Sequence, residues 1–306
     1  MFRVFNSSQP SIKLIPVDLG EVSIQIPVAT LKGNSNGPTL LITAGNDGDE
    51  YAGIAAAYRL IEEFSKQSFS GTLHIIPIVN IPGFEQEMSQ NPMDKKFPKQ
   101  VFPGRADGSS TERLRFWLSD FVKQSDFWID LHGGSLTERI NPYVHAWKSP
   151  NPEVNTFIKQ LIEVTPVSLV VYQDSPDSVR KPTKHDCGYL MCESGCFGNN
   201  DEGSIMKHIE WVRGVMISLH MIEGLLKSHP KKICSHVEEY YVKNAGIWRT
   251  YLRNDGTPQK GMLIGTVTSL DGRLLEEIIA KQSGVVLWIK EGMRVSSGAC
   301  VLGVGY

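Results

Sequence analysis

Apolar residues follow two spacings in this chain, and the pattern changes once along its length. Residues 39–45, TLLITAG, form a compact apolar run without polar alternation, the pattern of a strand buried on both faces of a parallel sheet. Ile54, Ala57, Tyr58, Ile61 and Phe64 then recur at helical spacing, which predicts a helix from about Asp49. TLHIIPIVN (72–80) reads as a second buried strand, TERLRFWLSDFVKQ (111–124) as a helix, and DFWIDLH (126–132) as a strand running into Gly133 and Gly134. SLVVYQ (168–173) and GYLMCE (188–193) are further strands. The longest amphipathic helix is expected over 204–226, with Ile205, Ile209, Val212, Met216, Leu219 and Ile222 on or near one face. Residues 1–36 read as an irregular lead-in with short strands, and GNSNGP (33–38) as a turn cluster. The polar stretch from Pro82 to Ser110 is unusually long for a connection inside a compact domain, which marks it as functional or mobile.

After about Ser235 the pattern shifts. Glycines recur from Gly246 to Gly305 and separate short apolar runs such as VVLWI and CVLGV, which suits a small all-β module. The alternating strands and helices before it predict an α/β sheet. The expected organisation is an α/β domain over 1–234 followed by a small C-terminal β domain over 235–306. A length of 306 residues agrees with about two domains. Hydrophobic residues make up 41% and charged residues 21%, which argues against disorder. The formal charge of −2 offers no basic footprint for nucleic acid. No apolar run approaches the roughly 20 residues of a membrane helix, and MFRVFNSSQPSIK has no block suited to a secretory signal. The five cysteines are odd in number and form no CxxC pair, so a reduced, cytoplasmic setting is expected. Oligomeric state is unreadable, and a homo-oligomer is compatible with these features.

Three strand ends carry chemistry-bearing residues, where open α/β sheets form their sites. They are Asp47-Gly48-Asp49-Glu50, Asp130-Leu131-His132, and Glu193-Ser194-Gly195. Two carboxylates and an imidazole can make a three-ligand metal site, and a further glutamate can act as general base. Each group also has a plain structural role open to it. Asp49 and Glu50 suit a helix N-terminus, Asp47 suits a turn, and a lone His132 is more often a bonded core histidine. Glu193 at the end of an apolar strand is harder to dismiss, because a buried carboxylate needs a partner. Cys192 and Cys196 flank it at a spacing weak for a metal, and His185 is a candidate for the cleft wall. HExxH, GxGxxG, a Walker lysine and GxSxG are all absent.

In order, GPTLLITAGNDGDEYAGI, HIIPIVNIPGF, VFPGRADGSSTERL, DFWIDLHGG, LMCESG and the Gly-rich tail resemble the succinylglutamate desuccinylase/aspartoacylase family. The resemblance implies a zinc carboxypeptidase-like fold: a mixed, mainly parallel sheet flanked by helices, plus the small C-terminal β domain. It implies that Asp47, Glu50 and His132 hold one Zn2+ per chain and that Glu193 shuttles the proton. It further implies hydrolysis of an amide in a small molecule such as an N-acyl amino acid. Asp130 is then expected to bond the metal-binding His132 from behind.

Two positions depart from the family pattern. Asp47 stands where the family has histidine, which makes one His, one Asp and one Glu formally −2, and a divalent site neutral. Weaker Lewis acidity and better competition by Mn2+ or Mg2+ are expected. Asp47 and Asp49 together would also allow a second ion. Lys99-Gln100 stand where the family has Asn-Arg, so the guanidinium grip on a substrate carboxylate is missing. Lys99, Gln100 and Arg105 are the substrate-binding candidates, with Arg180 a further cation that could substitute for the missing guanidinium. Alternatives are a carboxypeptidase-type peptidase, a binding homologue without catalysis, and a serine hydrolase using Ser135 or Ser194.

Overall fold

The computed structural model describes residues 12–149, 151–164, 166–174, 187–226, 229–253 and 256–306. Arg180 and His185 lie outside the described residues. The chain starts with two antiparallel strands, β1 (Ile12–Asp18) and β2 (Ser23–Lys32), and continues into β3 (Ser35–Ala44), so the GNSNGP turn shrinks to its first two residues. Helix α1 (Tyr51–Phe64) and strand β4 (Ser70–Ile76) follow, then α2 (Ile81–Glu85), α3 (Ser110–Lys123) and β5 (Phe127–His132). Next come β6 (Glu138–Ile140), β7 (Tyr143–Lys148), α4 (Pro152–Val164), β8 (Leu169–Asp174), β9 (Gly188–Glu193), α5 (Glu202–Ser218) and β10 (Lys232–Cys234).

Nine strands form one sheet in the order β1-β2-β4-β3-β5-β9-β7-β8-β10. The pairs β4-β3, β3-β5, β5-β9, β7-β8 and β8-β10 are parallel, and the remaining three are antiparallel. The expected mixed, mainly parallel sheet is therefore present. Side chains alternate between its two faces. Ile42, Ala44, Ile129, Leu131, Leu190 and Cys192 pack with α1, α4 and α5. Leu41, Trp128, Tyr189 and Met191 pack with Leu114, Leu118 and Val122 of α3 on the other face.

The C-terminal strands are β11 (Val237–Tyr241), β12 (Gly246–Thr250), β13 (Leu263–Thr268), β14 (Leu274–Ile279), β15 (Val285–Lys290), β16 (Arg294–Val295) and β17 (Cys300–Gly305). They form two four-stranded antiparallel sheets, β14-β13-β12-β16 and β11-β17-β15-β6, around a core that includes Trp248, Val267, Val286 and Leu302. β6 belongs to the second sheet, with Trp288 opposite Ile140, and Arg139 bonds Glu291 at 2.5 Å. The five cysteines carry free thiols. No helix among the described residues is long and apolar enough to cross a membrane.

Three local outcomes differ from the sequence pattern. α5 stops at Ser218 instead of 226, because His220 turns left-handed at φ 55°. His220 N–H bonds Ile217 O and Met221 N–H bonds Met216 O, which closes the helix end in a Schellman motif. Strand β7 and helix α4 were not predicted; β7 lacks clean alternation, whereas α4 does carry Val154, Phe157, Ile158, Leu161 and Ile162 at helical spacing. The long polar stretch is a tied-down loop. Asp94 accepts from Ser109 Oγ at 2.6 Å and from Thr111 N and Oγ1, and Ser109 N–H donates to Glu112 at 2.9 Å.

That Ser109 bond and Lys96 hold the Glu112 carboxyl down at about 2. A group depressed in the folded state stabilises above its unfolded pKa and loses that contribution as pH falls through its folded one. Glu112→Ala is expected to cost about 1 kcal/mol at pH 7, as helix caps typically do. In chemical denaturation, the gap between wild type and variant should close as pH falls from about 4.5 toward 2.

Candidate metal centre

β3, β5 and β9 end side by side, and strand alternation selects what they present. Thr43 shares the α3 face with Leu41, Asp130 and His132 share it with Trp128, and Glu193 shares it with Tyr189 and Met191. The register sets Thr43 opposite Asp130 and His132 opposite Glu193, with neighbouring strands about 4.8 Å apart. Two remaining members come from the loop after β3. Gly48 packs so tightly on the backbone of Gly83 that a Cβ would meet it at 2.2 Å. The acids on either side of it go to different partners: Asp47 reaches His132 and Lys99, whereas Asp49 accepts from Ser89 Oγ at 2.7 Å.

Glu50 sits at the N-cap of α1, yet its side chain caps nothing there. Its Oε2 lies 2.8 Å from His132 Nδ1 and accepts from Gly133 N–H at 3.0 Å. Asp47 Oδ2 lies 3.6 Å from the same Nδ1. One ligand atom from each of Asp47, Glu50 and His132 falls within 4.8 Å of the others, and all three residues are buried. Asp49 is not in this group. Glu193, 6% exposed, stands beside His132 on the next strand.

Behind His132 runs a buried relay. His132 Nε2 meets Asp130 Oδ2 at 3.0 Å, and Tyr189 hydroxyl donates to that oxygen at 3.3 Å. Asp130 Oδ1 accepts from Thr43 Oγ1 at 2.6 Å and Asn46 Nδ2 at 2.7 Å. Arg115 donates to Asn46 Oδ1 at 2.7 Å, and its guanidinium lies over the rings of Phe102 and Trp128. Sequence reasoning missed Thr43, Asn46, Arg115 and Tyr189. Arg115 left one signal: it falls on the apolar stripe of α3, between Leu114 and Leu118.

Burial disfavours every charge here, and neighbours decide which survive. It opposes Asp130, but His132 outweighs it, helped by Arg115 and Thr43, and holds that carboxyl at about 2. His132 is disfavoured as a cation by burial, then raised well above the usual imidazole range by Asp130 and Glu50. Burial and the Asp47 charge push Glu50 up. Asp47 would be raised by burial, but Lys99 and His132 hold it well below the usual carboxylate range.

The substrate-binding candidates separate. Lys99 reaches the cluster, its Nζ donating to Asp47 Oδ2 at 2.5 Å. Gln100 is exposed, and Arg105 lies at the surface bonded to Asp107 at 3.2 Å. Lys99 also changes the charge expectation. With its ammonium counted, and with His132 neutral as a metal ligand must be, Asp47, Glu50, His132 and Lys99 sum to one negative charge, the same as two histidines and a glutamate. Ser194 Oγ, a candidate nucleophile, is buried and has no hydrogen-bond partner among the described residues.

The donors suit a divalent cation. Asp47 Oδ1 is buried and has no hydrogen-bond partner among the described residues; such an anionic oxygen is costly unless a cation meets it. Carboxylate, carboxylate and imidazole are ligands that zinc accepts.

A sequence profile of the succinylglutamate desuccinylase/aspartoacylase catalytic domain matches residues 36–195, just over half of the chain. The chain belongs to this family. The matched span holds Asp47, Glu50, Lys99, Asp130, His132 and Glu193. Among curated relatives, N-alpha-acetyl-L-2,4-diaminobutyric acid deacetylase of Halomonas elongata is 37% identical over 122 residues, which cover 40% of this chain and 35% of that protein. Solved structures agree in fold. A succinylglutamate desuccinylase from Silicibacter sp. TM1040 superposes with a TM-score of 0.83 at 22% identity, covering 97% of this chain and 94% of that one. The product-bound ectoine utilization protein EutE (DoeB) of Ruegeria pomeroyi gives 0.83 at 24% identity, covering 96% and 94%.

Removing Arg115 strips the relay of its cation and leaves Asn46 and Asp130 short of a partner. Breaking a buried charged network in this way costs about 3–5 kcal/mol. Arg115→Met should lower unfolding free energy by about 3 kcal/mol in urea titration; a loss within about 0.5 kcal/mol, typical of surface positions, would show the relay to be dispensable.

Proposed function

We propose that the chain is a metal-dependent hydrolase that cleaves the amide bond of an N-acyl amino acid or a related small N-acyl amine. The supporting observation is the convergence of Asp47, Glu50 and His132 within 4.8 Å, with Glu193 on the strand position beside His132. Family membership supports the same chemistry. Asp47, Glu50 and His132 Nδ1 would hold the cation, zinc first among the candidates. Bound there, a divalent ion supplies polarisation of the scissile carbonyl and lowers the pKa of a water toward about 7.

The chain's own residues carry the remaining work. Asp130 bonds His132 Nε2 and fixes the ring so that Nδ1 faces Asp47 and Glu50. Glu193 takes a proton from the attacking water as its oxygen adds to the acyl carbon. It then passes a proton to the amine as the C–N bond breaks, leaving a carboxylate and an amine. Lys99 is the candidate whose charge stands at the cluster, so it is the group placed to meet a substrate carboxylate. An N-acetylated diamino acid is the first substrate to try, on the strength of the Halomonas elongata relative.

The test is a metal-supplemented hydrolysis screen over N-acyl amino acids, N-acyl diamines and short peptides. Glu193→Gln should lose roughly 10²–10⁴-fold in turnover, and a chelator should abolish activity in the wild type. A Glu193→Gln variant that retains full activity would falsify this mechanism. Cleavage confined to peptides would move the assignment to a peptidase, and chelator-insensitive cleavage would remove the metal from it.

A further inference from the structure

We propose that Lys99 sets the affinity of this centre for divalent cations by competing for Asp47. The inference rests on the metal-dependent reading above and concerns how firmly the ion is held.

The carboxylate of Asp47 is fully buried, while the Lys99 side chain keeps 27% of its surface. Lys99 thus reaches in from the rim and places its Nζ 2.5 Å from Oδ2, while Oδ1 has no hydrogen-bond partner among the described residues. One oxygen of a metal-ligand candidate is already engaged by a positive charge, and the other is open to a second. The Asp47 oxygen that faces His132 Nδ1, at 3.6 Å, is the same Oδ2 that Lys99 holds, so a doubly charged ion shared by Asp47, Glu50 and His132 would lie within a few ångströms of the ammonium. Two cations that close repel strongly where little water screens them, so binding the ion must strain or break the Lys99 contact. A neutral histidine at position 47 would carry no such competitor.

The ammonium is held in place by the fold. Lys99 is the middle residue of a short 3-10 turn, Pro98–Gln100, whose Pro98 is buried. Its Nζ also lies 5.7 Å from the centre of the Phe97 ring. Just upstream, Lys95 and Lys96 close a turn on Asn91, and Asp94 ties that turn to the start of α3. Competition is therefore built into the backbone path. The predicted outcome is a centre that loads at higher cation concentration than one in which Lys99 is uncharged, and whose occupancy tracks cation supply.

The experiment titrates chelator-stripped full-length protein with Zn2+, and separately with Mn2+, against a fluorescent chelator. Thermal melts verify that each variant is folded. Lys99→Gln, which keeps a hydrogen-bond donor and removes the charge, should bind Zn2+ at least about tenfold more tightly than wild type. Lys99→Arg, which keeps the charge, should stay within about threefold of wild type. A folded Lys99→Gln protein that binds no more tightly than wild type overturns the inference. If both bind equally well, the metal-dependent function stands and only the competition is wrong. If neither binds, both proposals fall. If the variant binds and wild type does not, the competition stands and metal-dependent catalysis by the wild type falls. A measurement on wild type alone covers the case of a variant that does not fold. Acetylation of Lys99 by acetic anhydride, read by mass spectrometry, should rise at least about threefold with saturating Zn2+ as the Asp47 contact loosens; unchanged labelling overturns the inference.

Discussion

Four carboxylates, those of Asp47, Glu50, Asp130 and Glu193, are buried at the same strand ends, and the cost of keeping like charges out of water governs the whole centre. No packing of apolar groups compensates for that cost. Positive charge must be delivered to such acids, and for three of them, Asp47, Glu50 and Asp130, the structure delivers it by three routes. His132 bridges Glu50 and Asp130, Lys99 meets Asp47 from the rim, and Arg115 acts on Asp130 through Asn46. An arrangement of this kind is a poor contributor to stability. On the proposed function, its worth lies in holding groups where a cation and a proton would be exchanged.

The sheet makes this possible because it is dry on both faces. Helices α1, α4 and α5 cover one side and α3 the other, so alternate residues of β3, β5 and β9 enter different cores. The α1 face takes only apolar side chains from these strand ends. The α3 face accepts the polar ones, and α3 itself brings a buried arginine to them. The long polar connection before α3 belongs to the same construction. By anchoring to the α3 start through Asp94 and Glu112, it carries Lys99 to the mouth of the centre.

Family membership and the departures from its pattern can now be weighed together. Counted as a ligand alone, Asp47 adds a negative charge to the centre. Counted with Lys99, the pair is neutral, as a histidine would be. The two departures in sequence are one feature in space, separated by 52 residues along the chain. Gln100, the neighbour of Lys99 in the 3-10 turn, and Arg105, bonded to Asp107, stay at the surface.

Local sequence determined much of this protein. The compact apolar run at 39–45 and the largely apolar segments 126–132 and 188–193 identify the central strands, because a strand covered on both faces tolerates such runs. Period-two alternation then puts Asp130 and His132 on one face of their strand, and the family motifs single out Asp47, Glu50 and Glu193. Tertiary structure alone decided the rest. β7 and the early stop of α5 depend on neighbours and on a left-handed His220 that no periodicity announces. The Lys99–Asp47 contact and the Arg115 relay join residues 52 and 69 positions apart. Hydrophobic patterning reports which side of an element is buried. Which charges meet inside depends on the path of the chain between them, and that path is set by packing over the whole domain.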